Sequence, residues 1–406
     1  MSLIHENALS VPATAADEIE IPWIVSVDDH VQEPPRLWLD RLPAKFRDIA
    51  PRTEREMVPW TDSHGVQHED WGDVWYYESQ RDALIAESAS AGISVDDMDT
   101  NPITFDAMRP GTYDPVARLA DMDLDHLEKS LCFPNTWVRF CGQRFLWGED
   151  KELALLCVRA YNDFLVDEWQ KPSNGRLLGV GIVPLWDVEL AAAEVRRNAA
   201  RGVKAVGFSE LPARLGLPSL YTGYWEEFIR ACDETGTVIG LHVGSSSTVP
   251  RSSDDAPTGQ TTLCHFGNSA LSLSDWMLSG ALARHPNLRL MFSEGQAGWL
   301  PFFMGRLDRK WTEGFKWMQI DRKNLPELPS TYFERQVFAC VTDDPAAVMF
   351  LDKFGANNIC FETDYPHPDG SFPNSVSVAR KEFGALSTDN LEKVIRRNAL
   401  RLLGEN

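Results

Sequence analysis

Eight short apolar runs punctuate this chain, near residues 24, 131, 180, 205, 240, 290, 339 and 360, and stretches of helical period separate most of them. Runs such as Leu177 to Pro184 and Val238-Ile-Gly-Leu-His242 read as strands buried on both faces. A strand covered by helices on both sides has no solvent face to make polar. The segments between them predict helices at 116–127, 151–169, 188–200, 224–235, 272–284, 299–311 and 345–354, with two more at 374–385 and 389–403. Eight such units favour a closed (β/α)8 TIM barrel of the α/β class over an open doubly wound sheet. No GxGxxG or Walker A pattern follows the first run, so a nucleotide-binding fold is disfavoured.

One stretch escapes the alternation. Residues 35 to about 115 are rich in Trp, Asp and Pro, with a turn-like Asp62-Ser-His-Gly65 and no regular succession of elements. They are expected to form a long insertion after strand one, lying over the catalytic face as a lid or as a contact between copies. The whole chain, 1–406, is then one barrel domain, and a homodimer is the expected assembly. Asp and Glu number 60 against 39 Lys and Arg, a formal charge of −21. That balance excludes nucleic acid and anionic membranes as partners and leaves a small-molecule substrate. Met1 to Glu20 has no apolar core of signal-peptide length and carries Glu6, Asp17, Glu18 and Glu20, and no run reaches membrane-spanning length. The seven cysteines show no CxxC spacing and sit mostly in apolar runs, as expected of a reduced, cytoplasmic enzyme.

Barrel enzymes carry their chemistry at the C-terminal ends of the strands. Reading those ends gives Asp28 and His30 on strand one, His242 on strand five, Glu294 on strand six and Asp364 on strand eight. Asp28 and His30 are two apart on a strand, so they project the same way while Asp29 between them faces away. Taken singly, each has a plainer explanation, a capping aspartate or a hydrogen-bonded core histidine. Five metal-type residues on four strand ends of one barrel point instead to a divalent-metal site. Phe133, Trp137, Trp186 and Phe208 also stand near strand ends, and read either as barrel packing or as the walls of a site for an apolar, cyclic substrate.

The pattern resembles the amidohydrolase superfamily, in particular the amidohydrolase-related branch typified by aminocarboxymuconate-semialdehyde decarboxylase. The resemblance rests on Asp28-x-His30-x-x-Glu33-Pro34, on Leu241-His242-Val-Gly, on His285-Pro-Asn-Leu-Arg-Leu-Met-Phe-Ser-Glu-Gly-Gln-Ala-Gly-Trp299 and on Thr363-Asp364-Tyr-Pro-His367-Pro. It implies that Asp28, His30, His242 and Asp364 bind one divalent metal ion; the hard oxygen ligands suit zinc first, with manganese, magnesium or iron as alternatives. It also implies that Asp364 handles protons for water or substrate.

Two positions depart from the family. Asp28-x-His30 stands where the decarboxylases commonly have His-x-His or Glu-x-His, and Glu294 stands where they usually place a histidine. The proton-transfer role of that histidine then passes to Glu294, to His265 in the loop after strand five, or to His367. Glu33 is expected to support the ligands or to anchor a loop. The added carboxylates make the pocket more negative and disfavour an anionic substrate, unless Arg139 or Arg144 restores anion binding. The sequence therefore favours a metal-dependent hydrolase of a small cyclic or aromatic compound, with metal-activated water as nucleophile. A metal-dependent non-oxidative decarboxylase of a small aromatic or enoic acid is the alternative. A barrel that has lost catalysis and serves as a binding protein is a third.

Overall fold

The computed structural model describes residues 19–314 and 316–405, so the reading of Met1 to Glu18 as a segment without a signal sequence lies outside the described residues. Among the described residues eleven strands form two sheets. The barrel strands are β1 (Ile24–Val31), β5 (Leu127–Pro134), β6 (Leu177–Gly181), β7 (Ala205–Gly207), β8 (Val238–His242), β9 (Leu290–Ser293), β10 (Val337–Val341) and β11 (Ile359–Phe361). They are hydrogen-bonded in that order, and the assigned pairs are all parallel. Each of the eight predicted runs is one of these strands, and the architecture is the expected (β/α)8 barrel.

The helices follow from capping and period. Asp114, Asp150 and Asp187 accept hydrogen bonds from free amides at the starts of α1 (Pro115–Leu124), α2 (Lys151–Phe164) and α3 (Val188–Ala199), as capping aspartates do. Further along are α4 (Glu226–Thr235), α5 (Phe266–Leu278), α6 (Leu300–Glu313), α7 (Pro329–Gln336), α8 (Pro345–Phe354) and α9 (Ser375–Phe383). The helix expected at 272–284 is two: α5 begins earlier, and Gly280, in the left-handed region at φ 74°, breaks it before Ala281–Arg284. No helix of the described residues is long and apolar enough to cross a membrane.

Side chains alternate along the strands, apart from register shifts in β1 at Ile24/Val25 and between Ser26 and Asp29, so the barrel has an inner and an outer apolar layer. Val25, Val27, Leu131, Phe133, Val180 and Met291 fill the inside, and Leu402 and Leu403 from the chain end join them. The outer set packs the strands against the ring of helices. Six of the seven cysteines are buried, Cys264 is partly exposed, and all are free thiols.

The insertion holds structure that its composition hides. β2 (Arg52–Thr61), β3 (Gln67–Tyr77) and β4 (Gln80–Ala83) form an antiparallel sheet whose first hairpin turns at Asp62 to Val66. Much of it is solvated on both faces, so its sequence lacks the alternation that marks a half-buried strand. Its inner edge is anchored by aromatic rings: Trp75 stacks on Trp137 at 4.5 Å and packs edge-on to Trp38 at 5.2 Å. Farther on, Ser88 accepts from Asn135 and Ser90 donates to Pro366, so the insertion does border the C-terminal face of the barrel.

Between β11 and β1 the barrel closes through the backbone just beyond the last strand. The amide of Asp364 donates to the Asp28 carbonyl at 2.8 Å, and the amide of His30 donates to the Tyr365 carbonyl at 2.6 Å. Asp29, wholly buried, ties this seam from the other face of β1: it accepts from Ser26 and Thr363 hydroxyls, the Tyr365 amide and, through its second oxygen, Ser130. Burial raises its pKa, and the nearby Arg118 charge opposes the rise. Replacing it strands several buried donors, each worth about 1–3 kcal/mol. Asp29→Ala is expected to lower unfolding free energy by roughly 3 kcal/mol in urea titrations, with Asp29→Asn milder; an Ala variant as stable as the parent would refute the seam.

Candidate active site

β1 brings Asp28 and His30 to the barrel mouth, both wholly buried. His30 Nε2 lies 3.6 Å from Asp28 Oδ1 and 3.2 Å from Asp364 Oδ1, while His242 Nε2 lies 3.4 Å from Asp28 Oδ2. The tautomers are fixed from behind. His30 Nδ1 faces the Pro134 carbonyl at 3.3 Å and His242 Nδ1 faces the Val243 carbonyl at 2.6 Å. A carbonyl only accepts, so each Nδ1 carries the hydrogen and each Nε2 turns a lone pair to the cluster, the form that a metal ligand needs.

The backbone is bent to make this convergence. Glu294 and Asp364 sit at φ 55° and 48°, a region that costs non-glycine residues free energy and is held only where the surroundings enforce it. Gly207 makes room on the other side, since a Cβ there would stand 2.4 Å from the Phe140 carbonyl. The loop after β5 can therefore close in, and Phe140 stacks on His242 with ring centroids 3.8 Å apart.

Both oxygens of Asp28, Oδ1 of Asp364 and Nε2 of both histidines are buried without a hydrogen-bond partner. Orphaned atoms of this kind, all ligand types, are what a cation resolves. Among the described residues two overlapping groups bring ligand atoms within 4.8 Å of one another: Asp28, His30, His242 and Glu294, and His30, Glu294, Asp364 and His367. The donor set fits a divalent ion. Burial, then the charges of Glu362 and Glu294, push the Asp28 carboxyl well up, and Glu294 and Glu362 are raised in the same way. Burial and the neighbouring His367 hold His30 down to about 4, and burial and His30 hold His242 well below the usual imidazole range. Asp364 goes the other way: burial opposes its ionisation, but His367 and His30 outweigh it and keep the carboxyl below its ordinary range.

The remaining sequence candidates separate clearly. His367 joins the centre, with Nδ1 3.0 Å from Asp364 Oδ1 and Nε2 3.1 Å from Asn135 Oδ1. Glu33 lies behind Asn135, accepting its amide at 3.2 Å, and burial raises its pKa to about 8. Phe133 packs edge-on to His242 at 5.1 Å. His265 borders the cavity outside the ligand groups. Trp137 belongs to the aromatic anchor of the insertion, and Phe208 to a core cluster with Trp225 and Phe228. Neither tryptophan, Trp137 nor Trp186, nor Arg139 nor Arg144 borders the cavity. Arg144 instead donates to the Trp137 carbonyl and pairs with Asp82. Sequence reading missed Phe140, Asn135 and Glu362. Only Glu362 left a signal, two positions before Asp364 and so on the same side of an extended chain.

A cavity of about 530 Å³ reaches the ligand groups at Glu294 and Asp364 and is also bordered by Glu362, His265, Phe266 and Trp299, among others. A larger groove of about 710 Å³ reaches Asn358 and Ile359 at the opposite end of β11, away from the ligands.

The amidohydrolase family model matches residues 82–404. Among solved structures, an amidohydrolase from Mycobacterium avium subsp. paratuberculosis K-10 superposes with a TM-score of 0.69 at 21% identity, over 96% of this chain and 99% of its own. The 2,6-dihydroxybenzoate decarboxylase from Rhizobium gives 0.59 at 17% identity, over 95% and 99%. A 5-carboxyvanillate decarboxylase from Novosphingobium aromaticivorans, complexed with manganese and 4-hydroxy-3-methoxy-5-nitrobenzoic acid, gives 0.57 at 19%, over 71% and 79%. No curated protein matches the chain.

His242→Ala is expected to abolish divalent-ion binding, read by elemental analysis after dialysis, with an unchanged circular-dichroism spectrum; full ion content in the variant would remove His242 from the site. The buried Glu33 makes stability depend on pH. Its carboxyl stays protonated in the fold up to about 8 but ionises near 4.5 in the unfolded chain, so its contribution to stability falls as pH rises between those values. Glu33→Gln should remove that slope, gaining on the parent by at most about 1.4 kcal/mol per pH unit across the window. An equal stability difference at pH 5 and pH 8 would count against it.

Proposed function

The chain belongs to the amidohydrolase family, and we propose that it is a divalent-metal-dependent, non-oxidative carboxy-lyase of small aromatic or enoic acids. The observation that carries this reading is the convergence of unpartnered ligand atoms from Asp28, His30, His242 and Asp364, of which Asp364 borders the cavity. The two decarboxylases of aromatic acids that share the barrel support decarboxylation above the hydrolysis that the sequence favoured. The manganese of the Novosphingobium enzyme puts manganese level with zinc as the ion. In this reading the whole chain acts as one catalytic domain, with the 35–115 insertion as part of its mouth.

Asp28, His30, His242 and Asp364 would hold the ion. When bound, it supplies positive charge that binds a substrate carboxylate or neighbouring hydroxyl oxygen and draws electron density from it. The protein's part is proton placement. Asp364, ionised at rest between His30 and His367, passes a proton received through His367 to the carbon bearing the carboxylate. The bond to the carboxyl carbon then breaks, its electron pair returns to the ring or double bond, and CO₂ leaves. His367, less deeply buried than His30, restores the proton to Asp364. Phe266 and Trp299 give the cavity an apolar side against which a ring can lie. Hydrolysis is the second reading, favoured by Glu294, whose carboxylate beside His242 can take a proton from water.

The test is a panel of hydroxylated and methoxylated benzoic acids and enoic acids with the manganese- or zinc-loaded protein. One CO₂ per acid consumed, without ¹⁸O from labelled water in the organic product, is the expected result. Asp364→Asn is expected to lower kcat by roughly 10²–10⁴-fold. Water-derived ¹⁸O in a newly formed carboxylate from an amide or lactone, with no CO₂ from any acid, would favour the hydrolase instead.

A further inference from the structure

The cavity above the ligand cluster has a wall of one sign. Glu294, Asp343, Glu362, Asp364 and Asp369 all border it, and among the described residues no lysine or arginine does. Asp344 also borders it but serves as a cap, accepting from the amides of Ala297, Gly298 and Ala347. Lys381, whose charge acts on Asp343, is itself paired with Glu382 at 2.9 Å. A divalent ion on Asp28, His30, His242 and Asp364 offsets two carboxylates and leaves the others uncompensated.

Glu362 is the informative member. It is wholly buried, the Glu294 amide donates to its Oε2 at 3.2 Å and the Thr342 hydroxyl steadies its charge, yet its Oε1 has no partner although the residue borders the cavity. A buried carboxylate oxygen without a donor is costly, and a ligand that supplies one recovers that cost. A second metal ion fits poorly. Among the described residues, the groups with three or more ligand atoms in reach of one point all contain His30 and Glu294, and none contains Glu362, Asp343 or Asp369. The cavity also carries the Phe266 and Trp299 rings, whose centroids lie 6.4 Å apart. Aromatic faces attract an organic cation.

We propose that this cavity recognises a small organic cation, an alkylammonium, amidine or guanidinium group of the substrate, with Glu362 as its anionic anchor and Asp343 and Asp369 at the entrance. The inference rests on the carboxy-lyase reading of the same site: together they describe a small zwitterion, its carboxylate toward the ligand cluster and its cationic nitrogen toward Glu362.

Benzylamine and benzyl alcohol, titrated calorimetrically into the full-length manganese-loaded protein at pH 7, test it. Benzylamine is expected to bind roughly tenfold more tightly than the alcohol. Glu362→Gln, which keeps the shape, is expected to abolish most of that preference while alcohol binding shifts less than about twofold. Asp369→Asn, at an exposed position, is expected to weaken benzylamine about two- to threefold at low salt. Equal affinities for amine and alcohol in the parent would overturn the proposal. So would a preference that survives both variants, or a second equivalent of manganese that the parent holds and Glu362→Gln loses. Binding is read without turnover, so an amine preference without CO₂ release from any acid rejects the carboxy-lyase reading alone. CO₂ release without an amine preference rejects this inference alone.

Discussion

The barrel is closed by residues that the proposed centre uses as ligands. Two backbone hydrogen bonds, Asp364 to Asp28 and His30 to Tyr365, join the last strand's exit to the first strand. Those bonds place three of the four side chains proposed to hold the ion, so ring closure and site assembly are one event. Asp29 holds the seam from behind, and Arg118 donates to the His30 carbonyl at 2.5 Å while lying over the Tyr365 ring at 3.8 Å. A barrel that failed to close here would lose its centre as well as its sheet.

That economy has an electrostatic cost. Asp28, Glu294, Glu362 and Asp364 are brought together in a buried place where like charges repel and water screens little. Burial holds His30 and His242 low, so they offset little of that charge. Such a cluster is stable when cations enter it, and its two halves ask for different ones. The ligand atoms around His30 are spaced for a metal ion, whereas Glu362 faces a cavity with aromatic sides and lies outside every such group.

Most of the fold was legible in the sequence because parallel strands leave an unmistakable trace. All eight apolar runs became barrel strands, since a strand buried on both faces must be apolar throughout. Asp28, His30, His242, Glu294 and Asp364 were legible as well, since a barrel puts its strand ends on one face. The insertion was not. Its sheet is mostly solvated, so β2 and β3 carry Arg, Glu, Asp and His at positions where a buried strand would show alternation. Trp137 stayed open between packing and substrate contact for a related reason: a large aromatic near a strand end looks the same whether it faces a substrate or, as here, stacks on Trp75.

The sequence by itself determined the strand–helix repeat, the strand-end acids and histidines, and the opposite facing of Asp28 and Asp29, because each depends on local period alone. The tertiary structure decided which side chains meet. It set His367 against Asp364 and Asn135, laid Phe140 over His242, left His265 at the rim, and gave Glu362 an oxygen without a partner. These contacts join residues far apart in the chain through loops and left-handed turns, where no periodicity constrains the side chain. Only the closed barrel brings them within reach of one another.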